Sequence, residues 1–115
     1  MTEFQDKLKA KMHEYVTVVY AATKKFPADE LYGVTSQLRR AALSVILNYI
    51  EGYARGKSKV TLNFYEIAYG SLKESKYLVF FSHSQSYMSK EDYKQCLGLS
   101  EEIGKMLWTE IERLK

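Results

Sequence analysis

Apolar residues recur along this chain at intervals of three and four for almost its whole length, and no useful stretch alternates apolar with polar at period two. The first periodic run predicts a helix from about Glu3 to Lys25, carrying Phe4, Leu8, Met12, Tyr15, Val16, Val19 and Ala22. Phe26-Pro27-Ala28-Asp29-Glu30-Leu31-Tyr32-Gly33 breaks the pattern and leaves room for one short helical turn. A second helix is predicted over Ser36 to Arg55, with Thr35 or Ser36 as N-cap and Gly56-Lys57-Ser58 as its end. A third covers about Val60 to Ser84. The fourth opens at Ser89, where Ser89-Lys90-Glu91-Asp92 approximates a capping box with Asp in place of Glu, and runs through Leu97, Ile103, Leu107, Ile111 and Leu114. Long helices joined by short connections predict an all-α, antiparallel up-down-up-down four-helix bundle, a single domain over residues 1–115.

Two helices carry more apolar surface than a lone bundle can bury. On the second, Leu38, Ala42, Val45, Tyr49 and Gly52 form the expected core stripe, while Leu43, Leu47, Ile50 and Ala54 form another on nearly the opposite side. A narrow polar seam of Arg40, Ser44, Asn48, Glu51 and Arg55 separates them. On the third helix Phe64, Ile67, Ala68, Ser71, Leu72, Ser75, Leu78, Val79 and Ser82 cluster as the expected core face, opposite Tyr69, Lys73, Lys76, Tyr77 and Phe80. A helix apolar on two sides is buried on two sides. Leu43, Leu47, Ile50, Tyr69, Tyr77 and Phe80 are therefore candidates for a subunit interface, with lysine stems lying along it. Aromatics interleaved with lysines also fit a stacking platform for single-stranded RNA; the subunit interface is the favoured reading.

Composition narrows the function classes. No apolar run is long enough to span a bilayer, and the amino-terminal residues lack the basic-then-apolar order of a signal peptide. One cysteine, Cys96, cannot close an internal disulfide, so a cytoplasmic protein without membrane attachment is expected. The net charge of +3 is modest, but residues 1–60 hold ten Lys/Arg against six Asp/Glu, and residues 61–115 hold seven against eight. The basic excess lies around the second helix: Arg39 and Arg40 near its start, Arg55, Lys57 and Lys59 at and beyond its end. Exposed, these five would contact phosphates; within the seam, Arg40 and Arg55 could instead pair with Glu51, and Glu51 and Arg55 stand four apart in the favourable order. Ten tyrosines suit surfaces that must be both apolar and wet.

Catalytic chemistry finds no foothold. Gly52-Tyr53-Ala54-Arg55-Gly56-Lys57-Ser58 has three residues between its glycines where a phosphate loop needs four, and it follows a helix rather than a strand. Neither His13 nor His83 has a Glu three positions before it, so the paired Glu-x-x-His set of di-metal bundles is missing. Cys96 reads as a small hydrophobe. Glu101-Glu102 and Glu110-x-Glu112 read as a solvated acidic face. No enzyme activity, metal or cofactor is expected.

The stretch Leu38-Arg39-Arg40-Ala41-Ala42-Leu43-Ser44-Val45, with Asn48, Glu51-Gly52-Tyr53 and Arg55, and the stretch Asn63-Phe64-Tyr65-Glu66-Ile67-Ala68-Tyr69-Gly70-Ser71-Leu72-Lys73-Glu74, together resemble the bacterial four-helix-bundle family encoded in intervening sequences of 23S rRNA genes. The accessory protein of diversity-generating retroelements is similar to that family. The resemblance spans nearly the whole chain. It implies an up-down bundle assembled as a ring-like homopentamer, without enzymatic activity, and a role in binding RNA or DNA; in the retroelement branch it implies a reverse transcriptase as protein partner. Where the family commonly has a proline within the second helix this chain has Ile46, so the kink expected there is absent. Ser44, Asn48, Glu51 and Gly70-Ser71 are read as packing positions rather than ligand contacts. The expected function is that of a homo-oligomeric, non-enzymatic RNA-binding or accessory protein, with a purely structural or protein-interaction module as the alternative.

Overall fold

A computed structural model describes residues 1–115. Its four helices, α1 (Glu3–Thr23), α2 (Ser36–Arg55), α3 (Ser58–Ser84) and α4 (Lys90–Leu114), each bury a stripe at alternating spacings of four and three. The stripe is Leu8, Met12, Tyr15, Val19 and Ala22 on α1, and Leu38, Ala42, Val45, Tyr49 and Gly52 on α2. On α3 it is Thr61, Tyr65, Ala68, Leu72, Ser75, Val79 and Ser82; on α4 it includes Cys96, Ser100, Ile103, Leu107 and Glu110. This spacing keeps one seam of each helix facing a common axis, which is what a bundle of nearly parallel helices requires. Each helix packs on its sequence neighbours, and α4 closes the ring against α1. Cross-helix partners run in opposite senses, Gln5 with Glu110 and Lys11 with Glu102, Ser44 with Ser71 and Gly52 with Thr61, so adjacent helices are antiparallel. The result is the expected up-down-up-down bundle, 43 × 24 × 18 Å.

Local signals fix the helix ends. Thr2 and Gln5 form a reciprocal capping box at α1 (Gln5 N to Thr2 Oγ1 3.1 Å, Thr2 N to Gln5 Oε1 3.0 Å). Ser89 Oγ accepts from the Asp92 amide at 3.1 Å and caps α4. Gly56, at φ 69°, ends α2 in the left-handed region that a Cβ disfavours. The expected cap of α2 is not made. Thr35 is helical, its hydroxyl is buried without a partner, and no side-chain oxygen caps the helix. Instead the chain enters α2 through a short 3₁₀ turn, Ala28–Glu30, and a wide π-type turn, Leu31–Thr35, whose Val34 amide donates to the Glu30 carboxylate at 3.3 Å. That carboxylate also accepts from the Tyr87 hydroxyl at 3.0 Å, tying the α1–α2 connection to the α3–α4 connection. α2 is a single unbroken helix through Ile46.

The helices α2 and α3 make the most extensive contact, and Gly52 explains how closely they approach. A Cβ there would lie 2.9 Å from both Phe64 Cβ and Tyr65 Cδ1. The Gly52 carbonyl is free to accept from Thr61 Oγ1 at 2.7 Å.

The core face of α3 differs from the expected one. Ile67 is 44% exposed, Phe64 is only half-buried, and Tyr65 takes the core position at 3% exposure. The buried stripe of α3 is rich in hydroxyl residues: Ser75 and Ser82 lie in the core as expected, and Thr61 and Tyr65 join them where the apolar pattern favoured Phe64 and Ile67. Backbone carbonyls satisfy the serines: Ser75 donates to Leu72 and Ser82 to Leu78, each at 2.7 Å.

Candidate nucleic-acid interface

The five basic candidates separate into committed and free side chains. Arg39 is half-buried; its Nε donates to Thr23 Oγ1 at 2.8 Å, and its guanidinium lies 4.7 Å over the Tyr20 ring. Arg55 pairs with Glu51 at 2.8 Å along α2 and rests 5.4 Å from the Phe64 ring centre. Arg39 ties α2 to α1, whereas Arg55 stays exposed, its ion pair lies within α2 and only its contact with Phe64 reaches α3. Arg40, Lys57 and Lys59 are exposed and have no carboxylate within ion-pair distance. They do not converge, since Arg40 and the α2–α3 connection are separated by most of α2, about 22 Å at the helical rise. Lys57 precedes the first turn of α3 and Lys59 lies within it, so the pair forms one compact basic tip.

The interface candidates also divide. Leu47 is 58% exposed and Ile50 44%, while Leu43 is half-buried. Leu43 and Leu47 line an open cleft of about 590 Å³ together with Tyr20, Tyr32, Arg39 and Arg40. Sequence reasoning had no means of placing Tyr32 here. It is 94% exposed on the wide turn before α2, where only the tertiary path of the turn decides what it faces. Arg40, a phosphate candidate, and Leu43 and Leu47, interface candidates, thus share one cleft.

On α3, Tyr77 and Phe80 stay exposed with ring centres 6.4 Å apart. Tyr69 turns instead toward α4 and packs on Trp108, ring centres 5.3 Å apart. The sequence pattern gave these three residues one face; the neighbouring helix splits them into two.

Of the family-like polar positions, Ser44 and Ser71 join two helices, Asn48 and Glu51 bond within α2, and Gly70 is exposed with open space around it. Ser44 Oγ and Ser71 Oγ are 2.8 Å apart across α2 and α3, and Asn48 Nδ2 donates to the Ser44 carbonyl and hydroxyl at 2.8 and 2.9 Å. Glu110, expected on a solvated face, is buried at 3% exposure. It accepts from Gln5 Nε2 at 2.9 Å and the Tyr49 hydroxyl at 3.0 Å, and pairs with Arg113 at 3.1 Å. Tyr49 in turn stacks on Tyr65 at 4.7 Å.

Burial dominates the titration of the interior groups. Desolvation pushes the Cys96 thiol up to about 12 and the Tyr65 phenol up to about 12, and it raises Tyr15 and Tyr49 further; the Glu110 charge adds to the shift at Tyr49. A thiol held so high is a poor nucleophile. No group of three or more His, Cys, Asp or Glu is placed to hold a metal ion. No helix is long and apolar enough to cross a membrane. His83 stacks on Tyr93 with ring centres 4.3 Å apart and lies 3.2 Å from the Met88 carbonyl, a packing role.

What emerges is a four-helix bundle whose polar interior is structural and whose distinctive chemistry is all on its surface. The sequence profile of the 23S rRNA-intervening sequence proteins matches residues 6–109, and the chain belongs to that family. Its fold is that of a crystal structure of a protein of unknown function from the S23 ribosomal protein family of Bacteroides thetaiotaomicron. The TM-score is 0.86 and the identity 21%, over 95% of this chain and 98% of that one. No curated protein matches significantly.

Proposed function

We propose that this chain is a non-enzymatic, homo-oligomeric RNA-binding or accessory protein. It self-associates through the outward stripe of α2 and binds RNA through the basic tip at the α2–α3 connection. The observation that carries the reading is the contrast among its cations: Arg39 is engaged against α1 and Arg55 is paired with Glu51, whereas Lys57 and Lys59 stand exposed and unpaired. Two lysines bind phosphate weakly. A ring of subunits, pentameric by family resemblance, would repeat the tip and convert weak contacts into a multivalent surface. Self-association is supported by Leu47 and Ile50, large apolar side chains left 58% and 44% exposed beside a cleft. An adjacent copy docked on Leu43 and Leu47 would cover the surroundings of Arg40, which leaves the lysine tip as the RNA surface.

Light scattering and fluorescence anisotropy test the two halves. The wild type should be a defined oligomer that Leu47→Glu dissociates, because a carboxylate buried in an apolar contact costs several kcal/mol. A monodisperse wild-type monomer overturns self-association. RNA affinity should fall steeply with salt, and Lys57→Ala/Lys59→Ala should flatten that slope by about two, one per lost phosphate contact. Failure of the wild type to bind any RNA at low salt leaves the protein-interaction module, for which the projecting Tyr32 would be the natural anchor.

A further inference from the structure

The groove between α3 and α4 holds the only tryptophan of the chain. Trp108 is 44% exposed and leans on Tyr69, ring centres 5.3 Å apart and planes tilted by 49°. Ser100 and Gly104 keep the floor between the helices low, opening a volume of about 430 Å³, within the size range of small-ligand clefts. Lys73, Lys76 and Lys105 line it against a single carboxylate, Glu101. The one ion pair among them, Lys76 to Glu101, is stretched to 3.9 Å. Elsewhere ammonium groups rest on ring faces: Lys73 Nζ, which has no carboxylate partner, lies 5.1 Å from the Tyr69 ring centre, and Lys115 Nζ, paired with Glu112 at 3.3 Å, lies 4.7 Å from that of Trp108.

Half-exposed flat rings favour a flat apolar cover, and unpaired lysines beside them favour a negative one. An apolar helix from a second copy would supply the cover and strand the charges. An acidic peptide would supply the charge and leave the rings wet. A nucleotide supplies both in one unit, a π surface with a phosphate a side-chain length away.

Building on the RNA-binding reading above, we propose that the α3–α4 groove takes an unpaired nucleotide of a single strand. The base stacks on the Trp108–Tyr69 pair and displaces the Lys73 ammonium from the Tyr69 ring, and Lys73, with Lys105, receives the flanking phosphate. The lysine tip at Lys57 and Lys59 contacts phosphates of any geometry. The groove adds a requirement for a base outside the duplex.

Trp108 emission in the full chain reads the groove directly, while anisotropy of a labelled RNA reads total binding in the same samples. At low salt a short single-stranded RNA should quench Trp108 saturably. The same strand annealed to its complement, inorganic tripolyphosphate and adenosine monophosphate should each need much higher concentrations. Tyr69→Ala should weaken quenching roughly tenfold, the scale of one lost stacking partner. Lys73→Glu/Lys105→Glu alters only exposed side chains and should abolish quenching with helix content unchanged. Binding by anisotropy with silent Trp108 overturns the groove and leaves the lysine tip standing; no binding by either readout overturns both. Quenching and anisotropy that both survive Lys57→Ala/Lys59→Ala keep the groove and overturn the tip. Equal quenching by tripolyphosphate or duplex means charge alone and overturns the stacking role, and equal potency of adenosine monophosphate overturns the strand as ligand. Trp108 shielded from acrylamide in the free oligomer assigns the groove to a second copy and overturns the proposal.

Discussion

Glu110 gathers groups from three helices onto one carboxylate, and its surroundings assign different energies to two tyrosines that look alike in sequence. Oε1 receives Gln5 from α1 and Tyr49 from α2, and Oε2 receives Arg113 from its own helix. Tyr49→Phe removes a hydrogen bond to a buried charge and should cost about 1.5–3 kcal/mol. Tyr15 is as deeply buried, but its hydroxyl meets the neutral Ser75 Oγ at 2.8 Å, and Ser75 also donates to Leu72. Tyr15→Phe should therefore cost about 0.5–1.5 kcal/mol. Urea unfolding with a common m-value decides it; equal losses would mean that Glu110 adds nothing to its hydrogen bonds. At this scale the sequence was readable where a residue's role depends on its own helix. Arg55 and Glu51 are paired at the spacing that suggested it, and Cys96 lies in the core as a small hydrophobe. It was opaque where the role depends on another helix. Glu110 sits among acids on a linear reading, and only the approach of Gln5 and Tyr49 makes it an interior group. Arg39 and Arg40 are adjacent in the chain, yet Tyr20 and Thr23 claim one and leave the other free.

Between elements, the α2–α3 contact is set by the absence of one methyl group. Gly52→Ala would gain about 1 kcal/mol of intrinsic helix propensity in an exposed helix. Here the new Cβ meets Phe64 Cβ and the Tyr65 ring at 2.9 Å, so the helices must part and the net change should be a loss of about 1–3 kcal/mol. Thermal unfolding gives the sign directly, and a stabilised variant would show that α2 and α3 can slide without penalty. Element identity and most boundaries were legible because the periodicity is long and the caps are chemical: Ser89 opens α4, Gly56 closes α2, and Arg55 is the last residue of α2 as expected. α1 stops at Thr23, two residues early, and α3 starts at Ser58, two residues early, within the fraying that helix ends allow. The Thr2–Gln5 capping box is written in the sequence as Thr-x-x-Gln, a signal that apolar periodicity does not register. The two residues of α3 that the pattern placed in the core and the fold turns outward have a different cause. Apolarity pulled the expected stripe toward Phe64 and Ile67, while the four-three spacing that holds for Ala68, Leu72, Ser75, Val79 and Ser82 runs on through Tyr65 and Thr61. Hydroxyls that bond to their own or a neighbouring helix are as compatible with a core as methyl groups, and a hydropathy pattern does not register that.

For the molecule as a whole, the buried phenols make alkaline stability the most informative titration. Tyr15, Tyr49 and Tyr65 lie on three different helices and face the common axis, and burial raises each above the ordinary tyrosine value. The folded state thus favours the neutral phenol more than the unfolded chain does. That contribution is complete below the unfolded value near 10 and is lost as pH climbs from there through the folded values, about 12 for Tyr65. Acid has a weaker grip. The Lys11 ammonium lowers Glu102, so that pair stabilises above the ordinary carboxylate range and lapses as pH falls through it, but it is exposed and screened. Stability should therefore be nearly level from neutrality to about pH 10 and then fall cooperatively. Absorbance at the phenolate band, followed with far-ultraviolet circular dichroism in one alkaline titration, makes the test. Three of the ten tyrosines should ionise only as the helices melt, giving a late absorbance step coincident with the loss of ellipticity. Tyr49→Phe should shrink that step by one tyrosine while lowering stability at every pH. Ionisation of all ten phenols with ellipticity intact would mean that water reaches the bundle axis without unfolding it, and that burial does not hold these three phenols neutral.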